Sequence, residues 1–203
     1  MSALARPSAL VGAPPPEVAA SSALTPEQTR LAAYLWGPLA FRNTDAIVLA
    51  QAKPERPLLS RCLALLHNET QGQWEGKAIS GGLNIFGHEG SACPAEWWGT
   101  AVTEAHYITY RTNLSHGDTP NGVGMCQLTD PPLTQEADRL GGAWLPEPQC
   151  NVGFHFLYQL MREHGEWGGF MHYNGSGPDA EAYADRATRY AAWVHDELIS
   201  HGF

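Results

Sequence analysis

The chain has 203 residues, of which 43% are hydrophobic, and a formal net charge of −9 at pH 7. That length suits one domain of moderate size plus a tail, the apolar share is enough to bury a core, and no apolar run approaches the ~18 residues that a membrane span needs. With only 12 Lys and Arg, the balance argues against non-specific nucleic-acid binding and against unaided adhesion to an anionic polymer, both of which need clustered positive charge.

Residues 1–23 are dominated by Ala, Pro and Ser and cannot bury enough apolar surface to order themselves. They read as a linker, which makes residues 24–203 one module of a longer protein. The apolar stretch within them is too short for a secretory signal. Order is expected from Thr25-Pro26-Glu27-Gln28, where Thr25 caps, Pro26 suits the first turn and Gln28 completes a capping box; the helix runs to about Leu39. Thr44-Asp45 opens a second, short helix. Pro57 to Leu66 is apolar nearly all round, the mark of a buried helix, and runs directly into His67-Asn68-Glu69.

Residues 75–92 are Gly-rich and read as loop. Pro94-Ala95-Glu96 opens a helix expected to reach about Leu114, and Pro131 to Leu140 another. Val152, Phe156, Leu157, Leu160 and Met161 have helical spacing within 149–164, with a further turn or two from Trp167 to about Tyr173. A last helix begins at Asp179, with Ala180, Tyr183, Ala184, Ala187, Tyr190, Ala191, Val194 and Leu198 on one stripe. Strand signals are few and there is no internal repeat. Cys62, Cys93, Cys126 and Cys150 include no C-x-x-C pair, so buried free thiols are expected, although their even number leaves two disulfides open.

Three stretches carry chemistry. A carboxyl that is to give up a proton as a general acid at neutral pH needs a raised pKa, which apolar burial provides. Glu69, at the end of the most apolar helix, meets the need, and Trp74 is a candidate cleft wall. Gly122 and Gly124 let the backbone approach a ligand closely, and Gln127 supplies an amide suited to an N-acetyl group or a sugar hydroxyl. Tyr173-Asn174-Gly175-Ser176-Gly177 places a phenol before a tight turn. Singly, each has a plainer reading: an exposed carboxylate past a helix end, a Gly turn entering a buried segment, and a core tyrosine before a helix C-cap.

Taken in order, His67 to Gly72, Asn121 to Thr129 and Tyr173 to Gly177 resemble the active-site signature of the lysozyme superfamily, most closely soluble lytic transglycosylases and goose-type lysozymes. The resemblance covers about residues 57–74 and 117–198. It implies a mostly α, lysozyme-like single domain with a cleft, preceded by the disordered linker. It also implies cleavage of the β-1,4 bond between N-acetylmuramic acid and N-acetylglucosamine in peptidoglycan. Glu69 would be the acid, and Gln127, Tyr173, Asn174 and the backbone of Gly122, Gly124 and Met125 would position the sugars.

Gly117-Asp118-Thr119-Pro120-Asn121-Gly122-Val123-Gly124 matches a stretch of goose-type lysozymes, by which Asp118 would direct the attacking water. Without a second carboxylate, the muramic acid 6-hydroxyl would close on the anomeric carbon instead. The 48 residues between Glu69 and Asp118 depart from the short loop of that pattern. His67 to Trp74 also resembles a stretch of family 19 chitinases, whose second Glu stands about 20 residues on, where this chain has Glu89; the plainer reading of Glu75, Glu89 and Asp130 is a solvated surface acid.

No cofactor or metal is expected, since no H-E-x-x-H occurs and the nine His do not cluster at metal spacing. The expected partner is the peptidoglycan strand, with no nucleic acid and no membrane, the chain acting as a monomer beside a tethered wall-binding module. The linker, the modular origin it suggests and the lack of a signal sequence suit a phage endolysin from an actinobacterial host, made in the host cytoplasm and reaching the wall through a pore protein. The rivals are a chitinase-like hydrolase and a non-catalytic wall-binding module with the same fold.

Overall fold

The computed structural model of the chain describes residues 24–71 and 81–203. The proposed linker, Trp74 and Glu75 lie outside the described residues. The described part is mostly helical: α1 (Pro26–Trp36), α2 (Thr44–Gln51), α3 (Leu59–Gln71), α4 (Glu104–Ser115), α5 (Pro131–Arg139), α6 (Pro146–Asn174) and α7 (Pro178–Ser200). The capping box at the start of α1 forms as its residues dictate: the Gln28 amide N–H donates to Thr25 Oγ1 at 3.2 Å, and the Thr25 N–H donates to Gln28 Oε1 at 2.9 Å.

Helix α3 is the centre of the molecule. Its run Cys62-Leu63-Ala64-Leu65-Leu66 has no solvent exposure, so every face of this stretch is packed. One face lies against α7, whose small residues Ala184, Ala187 and Ala191 let the two helices approach closely. Farther along, the His67 ring stacks on Tyr190 with centroids 4.0 Å apart. Polar side chains close the end of α3 by bonding back into it: Thr70 Oγ1 donates to the Leu66 carbonyl at 2.7 Å and Asn68 Nδ2 to that of Ala64 at 2.9 Å.

Helix α6 folds back on itself. In a straight helix Phe156 and Tyr173 would be about 25 Å apart at 1.5 Å per residue, but their ring centroids are 5.5 Å apart. The reversal occurs at Gly165, whose φ of 74° and ψ of 177° no helix accommodates. The returning arm packs so closely that a Cβ on Gly169 would come within 2.5 Å of Met161 Cγ. Arg61 Nε and Nη2 both donate to Glu166 Oε2, at 3.1 and 2.9 Å, and this ion pair ties α3 to the reversal.

The helix expected from Pro94 to Leu114 is interrupted. A single 3-10 turn at Ala95–Trp97 is followed by Gly99 at φ 70°, and α4 starts only at Glu104, where Thr103 caps it through the His106 N–H at 3.2 Å. Between them the chain makes isolated bridges, Ile85 to Ala101 and Phe86 to Trp98, and Phe86 also bridges to Val123. Backbone pairing at 84–86 thus competes with the helix and wins. These bridges hold the loop after residue 81 against the Gly-rich turn.

Among the described residues all four cysteines are buried free thiols, and no helix is long and apolar enough to cross a membrane.

Candidate active site

Glu69 lies in the last turn of α3, partly buried, and Tyr183 of α7 donates its hydroxyl to Glu69 Oε1 at 2.5 Å. Burial pushes the Glu69 carboxyl up from its usual 4.5 to about 7. The Tyr183 hydrogen bond opposes that rise because it stabilises the carboxylate, and the negative charge of Glu89 adds to it. Burial prevails over the hydrogen bond, so a large share of Glu69 is protonated at neutral pH. Tyr183 is itself held far above the usual phenol range, first by burial and then by the charge of Glu69, so it acts only as a donor.

Tyr173 is close to this pair without bonding to Glu69. Its hydroxyl donates to the carbonyl of Cys126 at 2.8 Å, and the Glu69 charge, after burial, helps to raise its pKa. The hydrogen bond to Glu69 comes instead from Tyr183, which the apolar stripe of the last helix presents as a core residue. Tyr173 fastens α6 to the Gly-rich turn. Asn174, the last residue of α6, is exposed and followed by Gly175 at φ 131°.

The turn from Gly122 to Thr129 is closed by paired bonds between Val123 and Leu128, the N–H of each donating to the other's carbonyl at 3.2 and 3.0 Å. Gln127 takes a left-handed φ of 46°, and its Nε2 reaches back to the carbonyls of Gly124 at 2.7 Å and Ile85 at 3.0 Å. The donor end of its amide therefore holds the turn, and the Oε1 end is left for other partners. Glycine is required at 124: φ is 76°, and a Cβ there would come within 1.6 Å of Gln149 Oε1. Gln149, fully buried on α6, accepts from the Met125 N–H at 2.6 Å and donates to Asn84 Oδ1 at 2.9 Å. Gly122, Gly124 and Met125 are all buried, and Met125 has no exposure at all. They form the floor behind the site rather than a surface for a sugar, leaving Gln127 and Thr129 partly accessible.

The two candidate second carboxylates are placed differently. Asp118 is exposed, accepts from Ser91 Oγ at 2.9 Å, and is not among the charges that act on Glu69. Its role here is to fasten the loop at 88–93 to the one at 117–120, together with backbone bonds from Ser91 and Ala92 to the Thr119 carbonyl at 3.0 Å. Glu89 is carried by the fastened loop. It accepts from the Gly122 N–H at 2.6 Å, its carboxylate and the Gln127 Oε1 both crowd against Gly122, and its charge reaches Glu69. Buried Asn121 positions the loop further, accepting from the Cys93 N–H at 2.8 Å and donating to the carbonyls of Gly87 and Gly90 at 3.2 and 3.1 Å. Asp130 is exposed at the N-terminus of α5 and makes no side-chain cap bond.

The structure thus brings together Glu69, Tyr183, Tyr173, Gln127 and Glu89, and sets Asp118, Asp130 and Asn174 at the surface. Gln149, Asn121 and Tyr183 were missed in the sequence. For Gln149 the signal is a polar residue on the inward face of an otherwise apolar helix. Among the described residues no three His, Cys, Asp or Glu side chains are grouped to hold a metal ion. Compared with known proteins, the chain matches no family model, no curated protein and no solved structure.

Proposed function

We propose that the chain is a lysozyme-like glycosidase that cleaves peptidoglycan glycan strands between N-acetylmuramic acid and N-acetylglucosamine. The observation that carries this reading is the partly buried Glu69, with a carboxyl near 7 and a tyrosine hydroxyl at 2.5 Å. A carboxyl that titrates near neutrality can give a proton to a glycosidic oxygen and still be a competent base afterwards. Glu69 protonates the leaving oxygen, Tyr183 stabilises the carboxylate that results, and the free Oε1 end of the Gln127 amide accepts from an N-acetyl N–H or a hydroxyl of the bound sugar.

A second carboxylate on the same side favours hydrolysis over closure by the muramic acid 6-hydroxyl. Glu89 stands 20 residues beyond Glu69, the spacing that also suggests a chitinase-like hydrolase, so chitin is the rival substrate. In this reading Glu89, rather than Asp118, directs the attacking water. The enzyme fits a phage endolysin module reaching the wall after release through a pore protein.

The test is release of soluble fragments from purified peptidoglycan and from chitin oligomers by equal amounts of enzyme. Release from peptidoglycan alone, or in large excess, is the expected result. Cleavage of chitin alone selects the rival, and cleavage of neither, with retention on the wall, selects a binding module.

A further inference from the structure

Arg42, just before α2, is an exposed cation without an ionic partner. In a chain of net charge −9 carboxylates are plentiful, yet among the described residues none pairs with it, not even Asp45 three positions on. Its Nη1 reaches only the carbonyls of Ala40 and Phe41, at 3.5 and 3.4 Å, the outer limit of a hydrogen bond. The guanidinium carbon lies 4.3 Å from the centre of the Trp36 ring, an indole that is 54% exposed at the end of α1. A guanidinium held over an indole keeps N–H groups for a planar anion.

The backbone that carries Arg42 is fixed in an unfavourable shape. Ala40 and Asn43, on either side of it, have φ of 52° and 53°, left-handed values that an alanine in particular rarely adopts. Three bonds hold the segment there: the Phe41 N–H donates to the Leu35 carbonyl at 2.9 Å, the Arg42 N–H to that of Gly81 at 2.9 Å, and Asn43 Nδ2 to that of Gly82 at 2.7 Å. Strain of this kind persists only where the surroundings enforce it, and it is concentrated at ligand sites.

The same bonds set Arg42 beside the candidate active site. A Cβ on Gly81 would come within 3.1 Å of the backbone nitrogen of His67, two residues before Glu69. A Cβ on Gly82 would meet the Arg42 carbonyl oxygen at 2.5 Å and Met125 Cε at 3.3 Å. The Arg42 backbone therefore borders the end of α3 and the floor under the Gly-rich turn. The Arg42 charge is not among those that act on Glu69, so the guanidinium is set back from the acid, at a distance that suits a substituent of a bound sugar rather than the bond being cut.

We propose that Arg42 and Trp36 form a subsite for a carboxylate carried by the muramic acid unit of the glycan strand, either that of its lactyl group or that of a short peptide attached to it. The inference rests on the proposed function for the identity of the ligand. Nε and Nη2 of Arg42 donate to the two carboxylate oxygens, the paired geometry that a guanidinium offers, and the indole receives the neighbouring apolar carbons. Chitin carries no carboxylate, so this subsite selects peptidoglycan over its rival.

The experiment titrates the full ¹⁵N-labelled chain with N-acetylmuramic acid, muramyl dipeptide, N-acetylglucosamine and sodium acetate, reading the Arg42 Nε–H and Trp36 indole N–H signals. N-acetylglucosamine lacks only the lactyl group of the first probe, and acetate is a carboxylate without a sugar. A saturable shift with N-acetylmuramic acid, absent with N-acetylglucosamine and about tenfold or more weaker in Kd for acetate and for Arg42→Gln, supports the subsite and assigns the lactyl carboxylate. The same pattern with muramyl dipeptide alone supports it and assigns the peptide carboxylate; where both bind, the tighter one makes the assignment. The remaining amide signals of Arg42→Gln report that it folds. No shift with either muramyl probe at millimolar concentration overturns the proposal, as does an equal shift with N-acetylglucosamine or acetate, or undiminished binding by Arg42→Gln. Cleavage of peptidoglycan by the unsubstituted chain is measured apart: cleavage without binding at Arg42 removes only the subsite, and absence of cleavage bears only on the proposed function.

Discussion

Replacing Tyr183 by Phe removes one oxygen and tests how the acid is tuned. In the folded chain burial raises the Glu69 pKa and the Tyr183 hydrogen bond lowers it, the balance being about 7. A hydrogen bond to a charged group is worth about 1.5–3 kcal/mol, and one pKa unit corresponds to about 1.36 kcal/mol. Without the hydroxyl, burial and the Glu89 charge act unopposed, so Glu69 should titrate roughly one to two units higher. A general acid works only while protonated, so the alkaline limb of the kcat/KM profile should move up by the same amount. Its maximum should fall, because the carboxylate formed in the transition state has lost its donor. A titration of ¹³C-labelled Glu69 gives the pKa directly. An unchanged or lowered pKa in Tyr183→Phe would refute the assignment of that bond and the dominance of burial.

Glu69→Gln should change the dependence of stability on pH. The folded pKa of about 7 lies above the unfolded value near 4.5, so the carboxyl favours folding fully below pH 4.5 and loses that contribution as pH rises to 7. The variant should therefore gain about 3 kcal/mol relative to wild type between pH 4 and pH 8 in urea unfolding; parallel curves would contradict the burial of this group. Glu89→Gln should lower kcat by about a hundredfold or more and Asp118→Asn by less than about threefold, with the reverse order returning the water-directing role to Asp118. Gly124→Ala should destabilise the chain by about 2–4 kcal/mol, read as a lower urea midpoint, because φ is 76° and Gln149 occupies the space of a methyl group.

The helices were legible because local rules set them. Thr25, Pro26 and Gln28 specify the start of α1 without help from the rest of the chain, and the unbroken apolar run before His67 announces a buried helix. One interruption was not legible. The break between Trp97 and Glu104 depends on pairing with residues 84–86, a partner no local window contains. The break at Gly165 was legible, since the helical spacing stops at 164 and resumes at Trp167, but the reversal of direction there was not, because it depends on where the second arm packs. Glu69 stands out at the end of its apolar run, but its hydrogen-bond donor lies on a helix more than a hundred residues away, at a stripe position indistinguishable from core. Glu89 reads as a surface acid because it is exposed; only the Gly122 N–H and the Asn121 clamp reveal that its loop is fixed toward Glu69.

Mass spectrometry of the soluble muropeptides from purified peptidoglycan, with Glu69→Gln run alongside, tests the central claim most directly. The account predicts glycan fragments cut between muramic acid and glucosamine, bearing reducing muramic ends, and their loss in the variant. Fragments that persist at the same level in Glu69→Gln, or the absence of any glycan-cleaved product from the unsubstituted chain, would contradict it.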